Sequence, residues 1–138
     1  MTIRIDARVQ IDRPAASVFG ALTEVETWPK WASTVKVFRP TEPPPLVVGS
    51  RLLQISDRGG RRIETPFEVS ALVPGKLFGL NSATLHCRFE LSPVAAGTSL
   101  VARFDLEARG WMALMYRLLL KRWANADLKR FKDFVEAR

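Results

Sequence analysis

A chain of 138 residues with 47% hydrophobic and 25% charged residues has the composition of a folded domain and not of a disordered segment. A single cysteine and a single histidine exclude an internal disulfide and leave no ligand set for zinc, so no metal or cofactor is expected. The net charge of +7 is uneven: from Arg117 onward seven basic residues stand against three acids, a surplus of +4.

The first predicted element is the clearest. Ile3, Ile5, Ala7, Val9 and Ile11 alternate with Arg4, Asp6, Arg8, Gln10 and Asp12, the period of a strand with one buried face. Pro14 then suits the first turn of a helix, predicted over Pro14 to Leu22. Thr27 to Trp31 reads as a turn or second short helix whose two indoles plug the edge of a core. A strand is expected over Thr34 to Phe38. Pro40, Pro43, Pro44 and Pro45 then impose a stiff loop.

From Arg51 the pattern is mostly β. Arg51 to Ser56 and Arg61 to Leu72 flank the turn Asp57-Arg58-Gly59-Gly60, where glycine supplies positive φ. In the longer strand Ile63, Thr65, Phe67, Val69 and Ala71 share one face, and Pro66 on the other marks an edge, bulge or bend. Further strands are expected over Lys76 to Asn81, Leu85 to Leu91 and Ser99 to Ala108, with turns at Pro74-Gly75 and Pro93 to Thr98. Gly110 breaks the chain, and Trp111 to Ala137 then runs without proline or glycine as one long helix. Its second half carries the stripe Leu120, Ala124, Leu128, Phe131 and Val135; its first half is apolar nearly all round. Segregated strands and helices make the class α+β, and one long sheet must curl around its only large covering element, the final helix.

Several local sequences carry a resemblance. Val9-Gln10-Ile11-Asp12-Arg13-Pro14-Ala15-Ala16-Ser17-Val18-Phe19, Trp28-Pro29-Lys30-Trp31, Val48-Gly49-Ser50, Val73-Pro74-Gly75-Lys76-Leu77, Gly97-Thr98 and the terminal helix resemble the START-like, or SRPBCC, superfamily. Within it the chain is similar to the polyketide cyclase/dehydrase-like group. The resemblance covers essentially residues 1–138 as one domain. It implies a helix-grip fold with an internal hydrophobic cavity for lipids, aromatic polyketides or related molecules. Some relatives are enzymes and others carriers. No catalytic motif of the group matches residue by residue, so catalytic residues are unknown and enzyme activity is left open.

The side chains expected to line the cavity are Trp31, Thr65, Phe67, Phe78, Asn81, Cys87, Phe89, Phe104, Met112, Met115, Tyr116 and Leu119. Thr65 is the one polar residue in an apolar inward row; it either bonds a ligand or bonds a neighbouring strand. Tyr116 either orients a ligand carbonyl or sits on the helix surface. His86 falls by parity on the outer face with Arg88 and Glu90, whereas Cys87 shares the apolar face as a small hydrophobe.

The binding of a small hydrophobic molecule is thus the first expectation, with a cyclase- or dehydratase-type enzyme, or a membrane- or anion-binding module using the basic C-terminal helix, as the alternatives. No helix-turn-helix, zinc-finger or RNP pattern accompanies the basic terminal helix, so no nucleic-acid partner is expected. Peripheral membrane contact and homodimer formation stay open for the apolar first half of that helix, flanked by Arg117, Lys121 and Arg122. Trp111 to Leu120 is too short to span a bilayer and holds Arg117, and the N-terminus lacks a signal-peptide pattern, so the expected compartment is the cytoplasm.

Overall fold

The computed structural model describes residues 2–107 and 112–138, with side chains of 112–114 outside that description. The expectations placed on Ala108, Gly110, Trp111 and the side chain of Met112 therefore lie outside the described residues. Seven strands form one antiparallel sheet: β1 (Thr2–Ile11), β2 (Val35–Pro40), β3 (Arg51–Arg58), β4 (Arg61–Val73), β5 (Leu77–Asn81), β6 (Leu85–Val94) and β7 (Gly97–Glu107). Their spatial order is β1-β7-β6-β5-β4-β3-β2, so the first two strands of the chain form opposite edges. Between them run α1 (Ala15–Thr23) and a 3-10 helix (Val25–Lys30), and α2 (Met112–Glu136) closes the chain.

Two-residue periodicity explains which face is covered. Ile5, Phe104, Cys87 and Leu80 stand in register across β1, β7, β6 and β5, and Ala7, Ala102, Phe89 and Phe78 form the adjacent row. All of them are buried except Phe104, which is half-buried. The second half of α2 lies over these rows through Leu128, Phe131 and Val135. The 3-10 helix adds Trp28 and Trp31. The indole of Trp28 packs at 4.8 Å from Trp31, 4.9 Å from Phe38 and 5.7 Å from Phe89, and Trp31 packs at 4.8 Å from Phe131. The two tryptophans thus occupy the middle of the core and not its rim, because Trp28 Nε1 donates to the Leu22 carbonyl at 2.9 Å and ties the short helix inward.

Bulges at Val35/Val37 and Val69/Ala71 shift the pairing of β2 with β3 and of β4 with β5. Each adds local twist and lets a long sheet bend around the helix. The β3–β4 hairpin turns on Gly59 and Gly60 at φ +60° and +81°, as a two-residue hairpin requires.

The end of α2 is fastened to the β1–α1 corner. Glu136 Oε2 accepts from the Asp12 backbone N–H at 2.9 Å and from Lys132 Nζ at 2.8 Å, and Lys132 also donates to the Gln10 carbonyl at 2.7 Å. Arg13 donates to the Glu136 carbonyl. The Asp12 N–H first, then Lys132, holds the Glu136 carboxyl below its ordinary range, and Glu136 in turn raises Lys132. A carboxylate lowered in the folded state stabilises it above the unfolded value of about 4.3, and that contribution fades as pH falls below this through the folded-state value. Replacing Glu136 by Gln is expected to lower Tm at neutral pH slightly and to flatten the acid limb of a Tm-against-pH curve. Calorimetry of both proteins checks this; superimposable acid limbs would refute it.

Candidate functional site

The packing of sheet, 3-10 helix and α2 leaves a cavity of ≈ 160 Å³ that opens to solvent at one end. Its floor is the inward face of β5 to β7, with Leu80, Cys87, Phe89 and Phe104; Leu128 and Ala124 of α2 and the two tryptophans complete the apolar wall. Polar wall residues are Thr34, Gln54, Arg58 and Asp127. Gln54 follows Leu52 on the inward row of β3, which leads through Ser56 to the exposed Arg58 at the hairpin. That gradation from apolar to cationic marks the mouth.

Two wall groups are chemically muted. Burial alone pushes the Cys87 thiol up to about 12, so it stays protonated at neutral pH, the form in which a thiol is a poor nucleophile. Asp127 Oδ1 already accepts from the Ser33 N–H at 3.2 Å and from Arg130 Nη1 at 2.8 Å. A third group is unsatisfied: Trp31, 4% exposed, has an indole N–H with no hydrogen-bond partner. Among the described residues no group of three His, Cys, Asp or Glu side chains is placed to hold a metal, and no helix is long and apolar enough to cross a membrane.

A larger hollow of ≈ 730 Å³ lies elsewhere. Strand β5 ends at Asn81 opposite Glu68, while β4 extends back to Arg61. The first half of β4, paired with β3 but not with β5, and the Asn81–Thr84 segment therefore flank an open groove, with Thr65 on its wall. Much of that volume is shared with solvent, since Glu64, Glu68, Ala83 and Thr84 are exposed. Among the described residues Phe67 alone lines both hollows.

A family model described as polyketide cyclase / dehydrase and lipid transport matches residues 2–136. The chain belongs to the polyketide cyclase / dehydrase and lipid transport family. Solved structures similar to this family member include StfQ, a di-domain ARO/CYC from the steffimycin biosynthetic pathway (TM-score 0.80, 18% identity). That match covers 100% of this chain and 52% of StfQ, so the chain spans about half of that protein. Protein NE0264 from Nitrosomonas europaea matches at TM-score 0.79 and 15% identity, covering 98% of this chain and 95% of its own. Ara h 8.0201 matches at TM-score 0.77 and 12% identity over 100% of both chains. At such identities the likeness is one of fold. No curated protein matches the chain. The START-like helix-grip assignment drawn from the motifs agrees with the family match and with these folds.

Of the side chains read from the sequence as lining, the structure brings Trp31, Phe67, Cys87, Phe89 and Phe104 together around the cavity. Phe78 is fully buried behind Phe89, with ring centroids 6.5 Å apart. Thr65 and Asn81 face the open groove instead. Met115, Tyr116 and Leu119 are exposed and do not line the cavity. The reason is geometric. Glu136 sits at Asp12, whereas Leu120 and Ala124 pack on Ile3 and Ile5 near the other end of β1. The turns of α2 before Leu120 have therefore run past the sheet. Gln54, Arg58, Thr34 and Asp127 were not singled out by the sequence. β3 carries Leu53 and Ile55 on its other face, so its alternation was masked and the inward row Leu52-Gln54-Ser56-Arg58 went unread.

Proposed function

We propose that this chain binds a small hydrophobic molecule between the sheet and the C-terminal helix. The supporting observation is the mostly apolar cavity of ≈ 160 Å³ in a chain of this family. Volume narrows the ligand. An apolar cavity of about 150 Å³ takes one benzene ring, while pockets for drug-sized ligands run to roughly 300–1,000 Å³. One aromatic ring or an aliphatic chain of similar bulk fits; a fused polycyclic body does not fit without displacing wall side chains.

The ARO/CYC neighbour StfQ favours cyclase or dehydratase chemistry as a second reading. That chemistry needs a positioned acid or base with a tuned pKa. Among the described residues the ionisable wall groups are Arg58, Cys87 and Asp127, of which Cys87 is held protonated and Asp127 is engaged by Arg130. The binding reading is therefore preferred.

Thermal unfolding with p-xylene is the test. At a ligand concentration 100-fold above Kd, linkage adds about 2.7 kcal/mol, or roughly 8–10 °C in Tm for a chain of this size. Cys87→Phe, which places a ring in the cavity, is expected to abolish the rise. Failure of p-xylene to shift the parent, or an undiminished shift in the variant, would count against the reading.

A further inference from the structure

We propose that the outward face of the first turns of α2 is a docking surface for an anionic lipid bilayer. This inference is independent of the cavity reading, since none of the residues that carry it lines the cavity.

Positions 115, 118, 119 and 122 follow the i, i+3, i+4, i+7 spacing of one helix face. Met115, Leu118, Leu119 and Arg122 border one shallow surface hollow there. Met115 and Leu118 are 67% and 73% exposed, and Leu119, Tyr116 and Trp123 are exposed as well. The opposite face of the same turns holds Leu120 and Ala124 against Ile3 and Ile5. Because the far end of α2 is fastened at Asp12, the apolar face points away from the domain in a fixed direction. An exposed apolar cluster of this kind on a folded domain marks a contact surface.

Charge sets the chemistry of the occupant. From residue 108 to residue 126 the sequence has no acid and four cations, Arg109, Arg117, Lys121 and Arg122. Arg117, Lys121 and Arg122 are exposed, and none of them has an ion-pair partner among the described residues. Aliphatic tips among unneutralised cations complement a bilayer with anionic headgroups. Met115, Leu118 and Leu119 enter the acyl boundary, Tyr116 and Trp123 sit at headgroup level, and the cations meet lipid phosphate and carboxylate groups. The stems of Lys121 and Arg122 lie along the apolar surface while their heads stay in water. A second copy of the chain fits this face less well. A two-fold contact would set like cations against each other with no acid to pair them, and a stable interface takes roughly 20–30 residues a side. A nucleic acid would meet the cations but leave the aliphatic tips in water.

The test is co-sedimentation of the full chain at low salt with two kinds of vesicle, phosphatidylcholine alone and phosphatidylcholine mixed with phosphatidylserine. Binding to the mixed vesicles is expected to be at least tenfold tighter. Each cation near an anionic surface is worth roughly fivefold in affinity, so Lys121→Gln with Arg122→Gln is expected to cost at least tenfold on the mixed vesicles. Leu118→Asn is expected to cost at least fivefold there. These side chains are exposed, so Tm is expected to stay within about 2 °C of the parent in both variants. Failure to sediment with the mixed vesicles overturns the proposal, and so does equal binding to the two kinds. Loss on removing the cations with no effect of Leu118→Asn also overturns it, since adsorption by charge alone needs no apolar face. Sedimentation velocity of the chain without lipid covers the remaining case. A dimer that Leu118→Asn dissociates, in the absence of vesicle binding, assigns the face to a second copy and overturns the proposal.

Discussion

Phe131→Ala is expected to destabilise the folded chain by about 3–5 kcal/mol. Phe131 is fully buried, and its ring lies 4.8 Å from Trp31, so it carries the contact between α2 and the aromatic cluster of the 3-10 helix. Truncation removes the transfer energy of a phenyl ring and leaves a hole that helix and sheet refill only in part. For a chain of this size the loss corresponds to a drop of roughly 10–20 °C in Tm. Denaturant titration gives this quantity. A loss below about 1 kcal/mol, the level of an exposed position, would show that α2 is not held by this contact.

Gly97→Ala is expected to be damaging on a similar scale, by a different mechanism. A Cβ built on Gly97 would stand 2.1 Å from the Ile11 carbonyl oxygen and 3.0 Å from both Arg13 N and Asp12 Cα. These are backbone atoms of the β1–α1 corner, so no side chain can swing aside. Gly97 opens β7 and precedes Thr98, which is fully buried and whose Oγ1 donates to the Arg13 carbonyl at 2.8 Å. Separating the strands to admit a methyl would break that bond and disturb the neighbouring anchor of α2 at Asp12 and Glu136. Overpacking alone costs roughly 1–3 kcal/mol, and loss of the buried hydrogen bond adds about 1 more. The expected result is a loss of about 2–4 kcal/mol. Gly75→Ala is the control: its φ is +73°, but nothing lies within 4 Å of the added carbon. Equal effects at the two positions would show that φ, not the close approach, governs Gly97.

Sequence periodicity was most informative where one face is buried and the other wet. β1 alternates without a fault over ten residues, and its faces are as read except at Val9, which is half-buried. The inward stripe of α2 from Leu128 to Val135 was equally legible. So was the outward placement of His86, which is exposed. The resemblance carried by the Val9–Phe19 and Val73–Leu77 segments fixed how the elements assemble, which periodicity by itself cannot do.

Two parts of the site were hidden for physical reasons. Apolar side chains at the start of α2 look like core in one dimension. Whether they meet the sheet depends on where β1 ends, and Met115 and Leu119 fall beyond that point. On β3, apolar residues on both faces cancel the alternation that would have exposed Gln54 and Arg58 as inward polar groups. Cavity volume is a small difference between large packed volumes, so no sequence pattern reports it.

Contacts from bound p-xylene to assigned methyl groups, measured as intermolecular nuclear Overhauser effects, test the central claim most directly. Cross-peaks to the methyls of Leu80, Leu85, Ala124 and Leu128 are the expected result. Cross-peaks confined to Met115, Leu118 and Leu119 on the exposed turns of α2, or to Thr41 and Thr84 in the open groove, would contradict it.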